Sequence, residues 1–299
     1  MNMEKQRSEI IARLSSIEGL PSLSSTMVKL KERVCNTDTS LAGFGEIAAI
    51  IEQDVGLAMK IMRMANSVHY TGKYGDISSI DQAISRLGID MVCRLCLAAA
   101  AMELFPVSSN LISLSDFWRH SIGVALTVRQ VGERRRLVDS DGYIAGLFHD
   151  IGILVLDRHF YEGYAEARNV AKKENIPVYE AERRSLGIDH GEIGGLLCRL
   201  WRLPEDVATA VSFHHFPEKA PEPFVDLTQV VHLSDFACSA LGVFEPGDLQ
   251  LQECSFSAWD NLGIGMEEMR KIIEYTESRI AETDTFVALS QKLGSSPRR

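Results

Sequence analysis

The sequence has no uninterrupted apolar run close to the roughly 18 residues that a membrane-spanning helix needs. Its most apolar stretch, Leu95 to Leu104, is too short and sits mid-chain, so it reads as a buried helix. The N-terminal MNMEKQRSEIIARL lacks the apolar block of a secretion signal, which leads us to expect a cytoplasmic protein with no membrane contact. An excess of positive charge is also missing. With 31 Lys and Arg against 41 Asp and Glu, the formal net charge is −10. Broad nucleic-acid binding needs a basic surface and is not expected. The one basic run, Arg134 to Arg136, reads as a solvated helix end rather than a phosphate site. Strand-like alternation is scarce, and there is neither an internal repeat nor a low-complexity tract. The six cysteines are scattered. Cys93 and Cys96 form a C-x-x-C, but within MVCRLCLAAAA they read as small buried residues one helical turn apart.

What remains is an ordinary globular balance in 299 residues, 45% hydrophobic and 24% charged, enough for one large core or two smaller ones. Good helix formers dominate. Asp38 or Thr39 is placed to cap a helix running through Ile51, and Asp54 opens the next, with Leu57, Ile61 and Met64 at helical spacing. Met62 and Met64 read as core filler. Residues 77–105 read as two helices broken near Gly88. The Ser- and Asn-rich segment 106–115 reads as a hinge. It divides an N-terminal helical lobe, 1–108, from a second helical bundle, 109–299. In that bundle we expect helices over about 116–133, 140–156, 160–174, 177–185, 189–202, 204–215 and 225–241, then one or two more over about 265–290. Pro204, followed by Glu and Asp, is a helix-entry signal.

Five of the eight histidines and two aspartates fall in one order in the second bundle: His120, His149-Asp150, His190, His214-His215 and Asp235. Each lies on or at the end of an expected helix. Imidazole nitrogens and carboxylate oxygens are standard ligands for Zn, Fe and Mn, and converging helices can bring them together. Taken singly, each has a plainer explanation. His120 suits a satisfied core position, His190 a helix start, His214-His215 a helix C-terminus that complements the dipole, and Asp235 a solvent-facing carboxylate. Taken together they favour metal binding, centred on His149-Asp150. Apolar neighbours would bury that pair, and the two oxygens of Asp150 suit a bridge between two ions. His69, His159 and His232 lie outside the pattern; His159 reads as exposed, and His232 as a partner of the ligands one turn before Asp235.

The order H…HD…H…HH…D resembles the ligand pattern of the HD superfamily of metal-dependent phosphohydrolases, particularly its HD-GYP branch. The flanking segments resemble the HDOD family instead: LPSLSSTMVKL (20–30), IIEQDVGLAMKIMRMANSVHY (50–70) with Asp54, Leu57, Asn66 and Ser67, ISSIDQAISRLGIDMVCRL (77–95) and DHGEIGGLLCRLWRLPEDVATAVSFHH (189–215). The resemblance covers roughly 15–245. It implies an all-α, HD-domain-like helical bundle with an N-terminal helical lobe, used as a regulatory output module of bacterial signalling. Many members of that family lack the metal ligands, whereas here every position is filled. Carried over from the HD pattern, His120, His149, Asp150 and Asp235 would hold one divalent transition-metal ion. Asp150 would bridge to a second, completed by His190, His214 and His215. The segment FPEKAPEPF (216–224) lacks the glycine- and tyrosine-bearing loop of HD-GYP proteins, which sets the chain apart from cyclic-di-GMP phosphodiesterases.

Three functions are compatible with these readings. The first is a regulatory module that binds a dinuclear centre of Fe, Mn or Zn and meets a signalling protein partner. The second is a phosphohydrolase acting on a nucleotide, a cyclic dinucleotide or another phosphate-containing small molecule, with Asp150 at its catalytic centre. In that case Lys60, Arg63, Lys73 and Arg94 are potential phosphate contacts, although each reads first as a surface charge. The third is an oxidase or oxygenase, since the same ligands would suit iron, as in HD-fold proteins that resemble di-iron oxygenases; ligand type alone allows it.

Overall fold

In a computed structural model the described residues are 3–16, 20, 28–29, 44–66, 76–105, 111–135, 141–240 and 253–278. All the regular structure among them is helical, as the sequence implies, and no strand occurs. The helices are α1 (Met3–Ser16), α2 (Phe44–Glu52), α3 (Val55–Ala65), α4 (Ile80–Leu87), α5 (Ile89–Leu104), α6 (Leu114–Arg135), α7 (Asp141–Phe148), α8 (Ile151–His159), α9 (Tyr161–Glu174), α10 (Val178–Leu186), α11 (His190–Leu200), α12 (Glu205–Phe213), α13 (Val225–Ala240) and α14 (Phe256–Leu262), followed by α15 over 266–278.

Two compact units emerge: Pro21–Val107 with Ser278–Arg299, and Met1–Leu20 with Ser108–Glu277. The sequence reading puts residues 1–20 in the first lobe; α1 instead clusters with the later helices. Ile10 and Leu14, one turn apart, are buried where α1 packs on α10, and Arg7 pairs with Glu192 at 2.9 Å.

In the earlier unit α5 is buried along nearly its whole length, including Cys93, Cys96 and all of Leu95–Leu104 but Glu103. Ile51, Ile61, Met64 and Ile84 from α2, α3 and α4 pack around it. Burial pushes the Cys93 thiol up to about 12, with Asp90 adding to the effect, so the C-x-x-C is a pair of inert core residues. Asp54 caps α3 by accepting from the Leu57 amide at 3.0 Å, as its position suggests. Asp38, Thr39, Ser67, His69 and Lys73 lie outside the described residues. Asn66 clamps the chain where it enters the next helix. Its amide oxygen accepts from the Ile77 N–H at 2.8 Å, and its Nδ2 donates to the Ile77 carbonyl at 2.9 Å. Two of the suggested surface charges are not on the surface. Lys60 is 3% exposed and pairs with Glu103 at 2.6 Å, and Arg94 is 5% exposed and pairs with Asp90. Their long stems fill apolar space while the heads reach carboxylates at the edge of the unit.

In the later unit α6 is the central element, buried from Phe117 to Val128, with α7 and α13 packed on it. α12 lies against α7 and α13, and α11 joins α8 to α12. Arg135, in the basic run at the end of α6, donates to Glu268 at 2.7 Å and to the Gly263 carbonyl at 2.8 Å. It ties down the C-terminal helices rather than projecting into solvent. Asn175 and Gly187, both left-handed at φ 55° and 75°, end α9 and α10. Pro204 sits one residue earlier than expected, at the N-cap of α12, with Glu205 and Asp206 in the first turn. The structure adds one helix that the sequence reading did not expect, α14, and corrects one that it did, 140–156. That segment is two helices, α7 and α8, parted at His149-Asp150. The apolar pattern runs straight through the break, so periodicity alone does not reveal it.

Candidate metal centre

The break in the chain aims two side chains at one place. In a continuous helix, adjacent residues point about 100° apart. Here Asp150 has φ −99° and ψ 5°, and His149 and Asp150 face the same cluster. His120 reaches it from α6 and Asp235 from α13. His190 is the first residue of α11, a start fixed by Asp189, which accepts from the Glu192 amide at 2.8 Å. His214 and His215 follow the last turn of α12. Of the seven, only His215 is half-buried; the others are 6% exposed or less.

Two glycines allow the ligand-bearing helices to meet. A Cβ on Gly152 would stand 2.0 Å from the His190 carbonyl oxygen, where α8 crosses α11. A Cβ on Gly146 would stand 2.7 Å from the Ala125 Cα, where α7 crosses α6.

All seven residues expected at the site come together. Asp150 Oδ2 lies 3.1 Å from His149 Nε2 and 3.7 Å from His120 Nε2. Those two nitrogens are 3.2 Å apart, and Asp235 Oδ1 is 3.1 Å from His120 Nε2 and 3.7 Å from His149 Nε2. The other oxygen of Asp150, Oδ1, lies 3.2 Å from His190 Nε2 and 3.6 Å from His214 Nε2. His215 Nε2 approaches His190 Nε2 at 2.7 Å. Donor atoms able to meet one ion form two sets, His120–His149–Asp150 and His190–His214–His215, and Asp150 Oδ1 borders the second at His190 and His214.

The donor set fits metal ions on three counts. Ligand atoms about 2.1 Å from a tetrahedral ion lie about 3.4 Å from one another, and most separations here fall around that value. The tautomers also suit: Nδ1 of His149 donates to the Gly146 carbonyl at 2.8 Å, and Nδ1 of His214 to the Val211 carbonyl at 2.8 Å. Each leaves an Nε2 lone pair turned inward. Finally, His214 Nε2 is buried without a hydrogen bond, a costly arrangement unless something else meets it.

The electrostatics point the same way. Burial pulls His149 down, but Asp150 and Asp235 outweigh it and hold its imidazole up to about 10. His190 is likewise raised, because Glu182 and Asp150 overcome burial. Burial raises Asp150 and Asp235, yet the surrounding imidazoles hold both well below the usual carboxylate range. The pocket is organised around positive charge.

Several residues acquire roles that sequence did not supply. Glu182, fully buried on α10, accepts from His190 Nδ1 at 2.7 Å and from the His190 backbone N–H at 2.8 Å. Tyr179, one turn earlier, stacks on His215 with ring centroids 4.2 Å apart. The available signal was Glu182 falling on the apolar face of α10 with Tyr179 and Leu186, amid arginines that made it look solvated. His232 donates from Nδ1 to the His214 carbonyl at 2.7 Å and accepts from the Ser255 N–H at 2.9 Å. It supports the ligand backbone rather than a ligand ring. His159 is half-buried rather than exposed, beside Arg158 and Arg13.

A family model described as the HDOD domain matches residues 20–217. The chain belongs to the HDOD domain family. Three solved structures share the HDOD architecture. An HDOD domain protein of unknown function from Geobacter sulfurreducens has a TM-score of 0.77 at 23% identity, covering 98% of this chain and 99% of that one. A candidate signal-transduction protein from Marinobacter aquaeolei VT8 has a TM-score of 0.75 at 20% identity, covering 99% and 67%. A candidate phosphohydrolase from Shewanella amazonensis SB2B has a TM-score of 0.66 at 19% identity, covering 98% and 100%. At these identities the likeness shows the fold. A curated relative in Treponema pallidum (strain Nichols), an uncharacterized protein, is 25% identical over 239 residues. The match covers 77% of the HDOD chain but 44% of the relative, so this chain spans less than half of the relative's length. No described helix is long and apolar enough to cross a membrane.

Proposed function

We propose that this HDOD chain is a cytoplasmic regulatory module of bacterial signal transduction built on a dinuclear centre of Fe, Mn or Zn. The reading rests on the division of Asp150, whose two oxygens serve two different sets of imidazoles. His120, His149 and Asp235 would hold one ion, His190, His214 and His215 the other, and Asp150 both. Ions bound there would stabilise the meeting of α6, α8, α11, α12 and α13, because whatever binds only the folded state stabilises it. Metal status would thereby set the surface offered to a signalling protein. The likeness to the candidate signal-transduction protein of Marinobacter aquaeolei supports this role.

A second reading, a metal-dependent phosphohydrolase acting on a nucleotide or cyclic dinucleotide, is favoured by the completeness of the ligand set. The likeness to the candidate phosphohydrolase of Shewanella amazonensis supports it too. Paired ions would supply an activated water and stabilise in-line displacement at phosphorus. In this chain Asp150 and Asp235 would set the negative charge of the site, while the Nδ1 bonds of His149, His190 and His214 fix which imidazole nitrogens face the substrate side.

Elemental analysis of the purified chain tests both readings. Two transition-metal ions per chain are expected, falling to none in Asp150→Ala. Metal without turnover of cyclic dinucleotides or generic phosphodiesters, with Mn or Fe supplied, supports the regulatory module. Turnover that Asp150→Ala abolishes supports the hydrolase. A wild-type chain that retains no metal would sink both.

A further inference from the structure

The two ligand sets differ in charge. The first has a carboxylate of its own, Asp235, besides its share of Asp150. The second has three imidazoles and only the shared carboxylate. Directly behind it stands Glu182, fully buried, with Oε2 taking both the Nδ1 proton and the backbone N–H of His190. Its Oε1 is buried and has no hydrogen-bond partner, so among the described residues this carboxylate serves His190 alone.

A carboxylate is a costly way to orient an imidazole. Burying one costs several kcal/mol or more, and neutral carbonyls do the same job for His149 and His214. The charge itself therefore needs a reason, and the second set's shortage of negative charge supplies one. The same helix face carries Tyr179, three residues earlier, stacked on His215. Thus α10, which contributes no ligand, touches two of the three imidazoles of the second set.

We propose that Glu182 is the positioning residue that lets the His190–His214–His215 set retain a divalent cation, fixing the His190 ring and supplying the set's missing negative charge. The inference rests on the dinuclear reading above. Glu182→Gln keeps an acceptor oxygen and most of the shape but removes the charge.

The test is calorimetric titration of the metal-free full chain with Zn(II), together with circular dichroism of each metal-free variant. Wild type takes two ions. Glu182→Gln takes one as before and binds the other about 10- to 100-fold more weakly, the usual effect of losing a partner behind a ligand. Asp235→Asn also keeps one ion, but the opposite one, so the double variant keeps none. Tyr179→Leu leaves every charge in place and weakens the same ion as Glu182→Gln by a smaller factor, which covers misfolding of the glutamine variant. Two ions of unchanged affinity in a folded Glu182→Gln chain overturn the proposal, as does joint loss of both. Fewer than two ions in wild type overturns the dinuclear reading itself, a separate outcome.

Discussion

Both units bury charge, and they do so differently. In the earlier unit the buried charges and the part-buried Asn66 each have a dedicated partner: Lys60 meets Glu103 on another helix, Arg94 meets Asp90 four residues away, and Asn66 closes on Ile77. The partner carboxylates are about half exposed, so each pair is tethered to solvent. In the later unit five imidazoles and two carboxylates from five separate stretches face one another, all but His215 nearly fully buried. Buried charge with a dedicated partner belongs to the architecture. Buried donors converging on a common centre call for something between them.

The largest expected effect comes from forcing the converging helices apart. Gly152→Ala places a methyl 2.0 Å from the His190 carbonyl, so α8 and α11 must separate. We expect about 3 kcal/mol of destabilisation in urea unfolding and the loss of bound metal. Ordinary stability with intact metal content would mean the close approach is not needed.

Next is pH. With His149 held up to about 10 from an ordinary 6.5, its contribution to the metal-free fold is complete below 6.5 and is lost as pH rises through 10. His190 acts in the same direction. Asp150 and Asp235, held low, lose their contribution only in acid, below the ordinary 3.8. The metal-free chain should therefore be less stable near pH 9 than near pH 6, by at least ~1.4 kcal/mol, the worth of one pKa unit. Bound metal needs the imidazoles neutral and should reverse that slope. Parallel slopes with and without metal would break the contrast between the units.

The smallest effect sharpens the other half of the comparison. Asn66→Ala removes two hydrogen bonds from the earlier unit and strands the Ile77 amide and carbonyl. It should cost about 1 kcal/mol and leave metal content at the wild-type value. Metal loss in that variant would show that Asn66 is more than a clamp.

The chemistry of the site was legible because its residue types are rare in cores and stand in a distinctive order. The N-cap at Asp54 was legible because capping is local, whereas the expected helix 189–202 takes in Asp189, which the structure makes the cap. The division of 140–156 was not, since the apolar repeat continues through His149-Asp150 and no proline marks the turn. Glu182 was hidden among Glu180, Arg183 and Arg184, which make α10 look like a solvated helix. Lys60 and Arg94 were hidden because a charged head on a long stem looks the same in sequence whether its base is wet or dry.

By itself the sequence determined the all-α class, most helix limits, the family and the seven side chains that converge, all set by residue type and by spacing along the chain. Tertiary structure alone decided which oxygen of Asp150 faces which imidazoles, that a buried glutamate stands behind His190, and that α1 packs with the later helices. Those outcomes depend on how distant helices cross, and crossing is governed by glycines and packed faces whose partners lie far away along the chain.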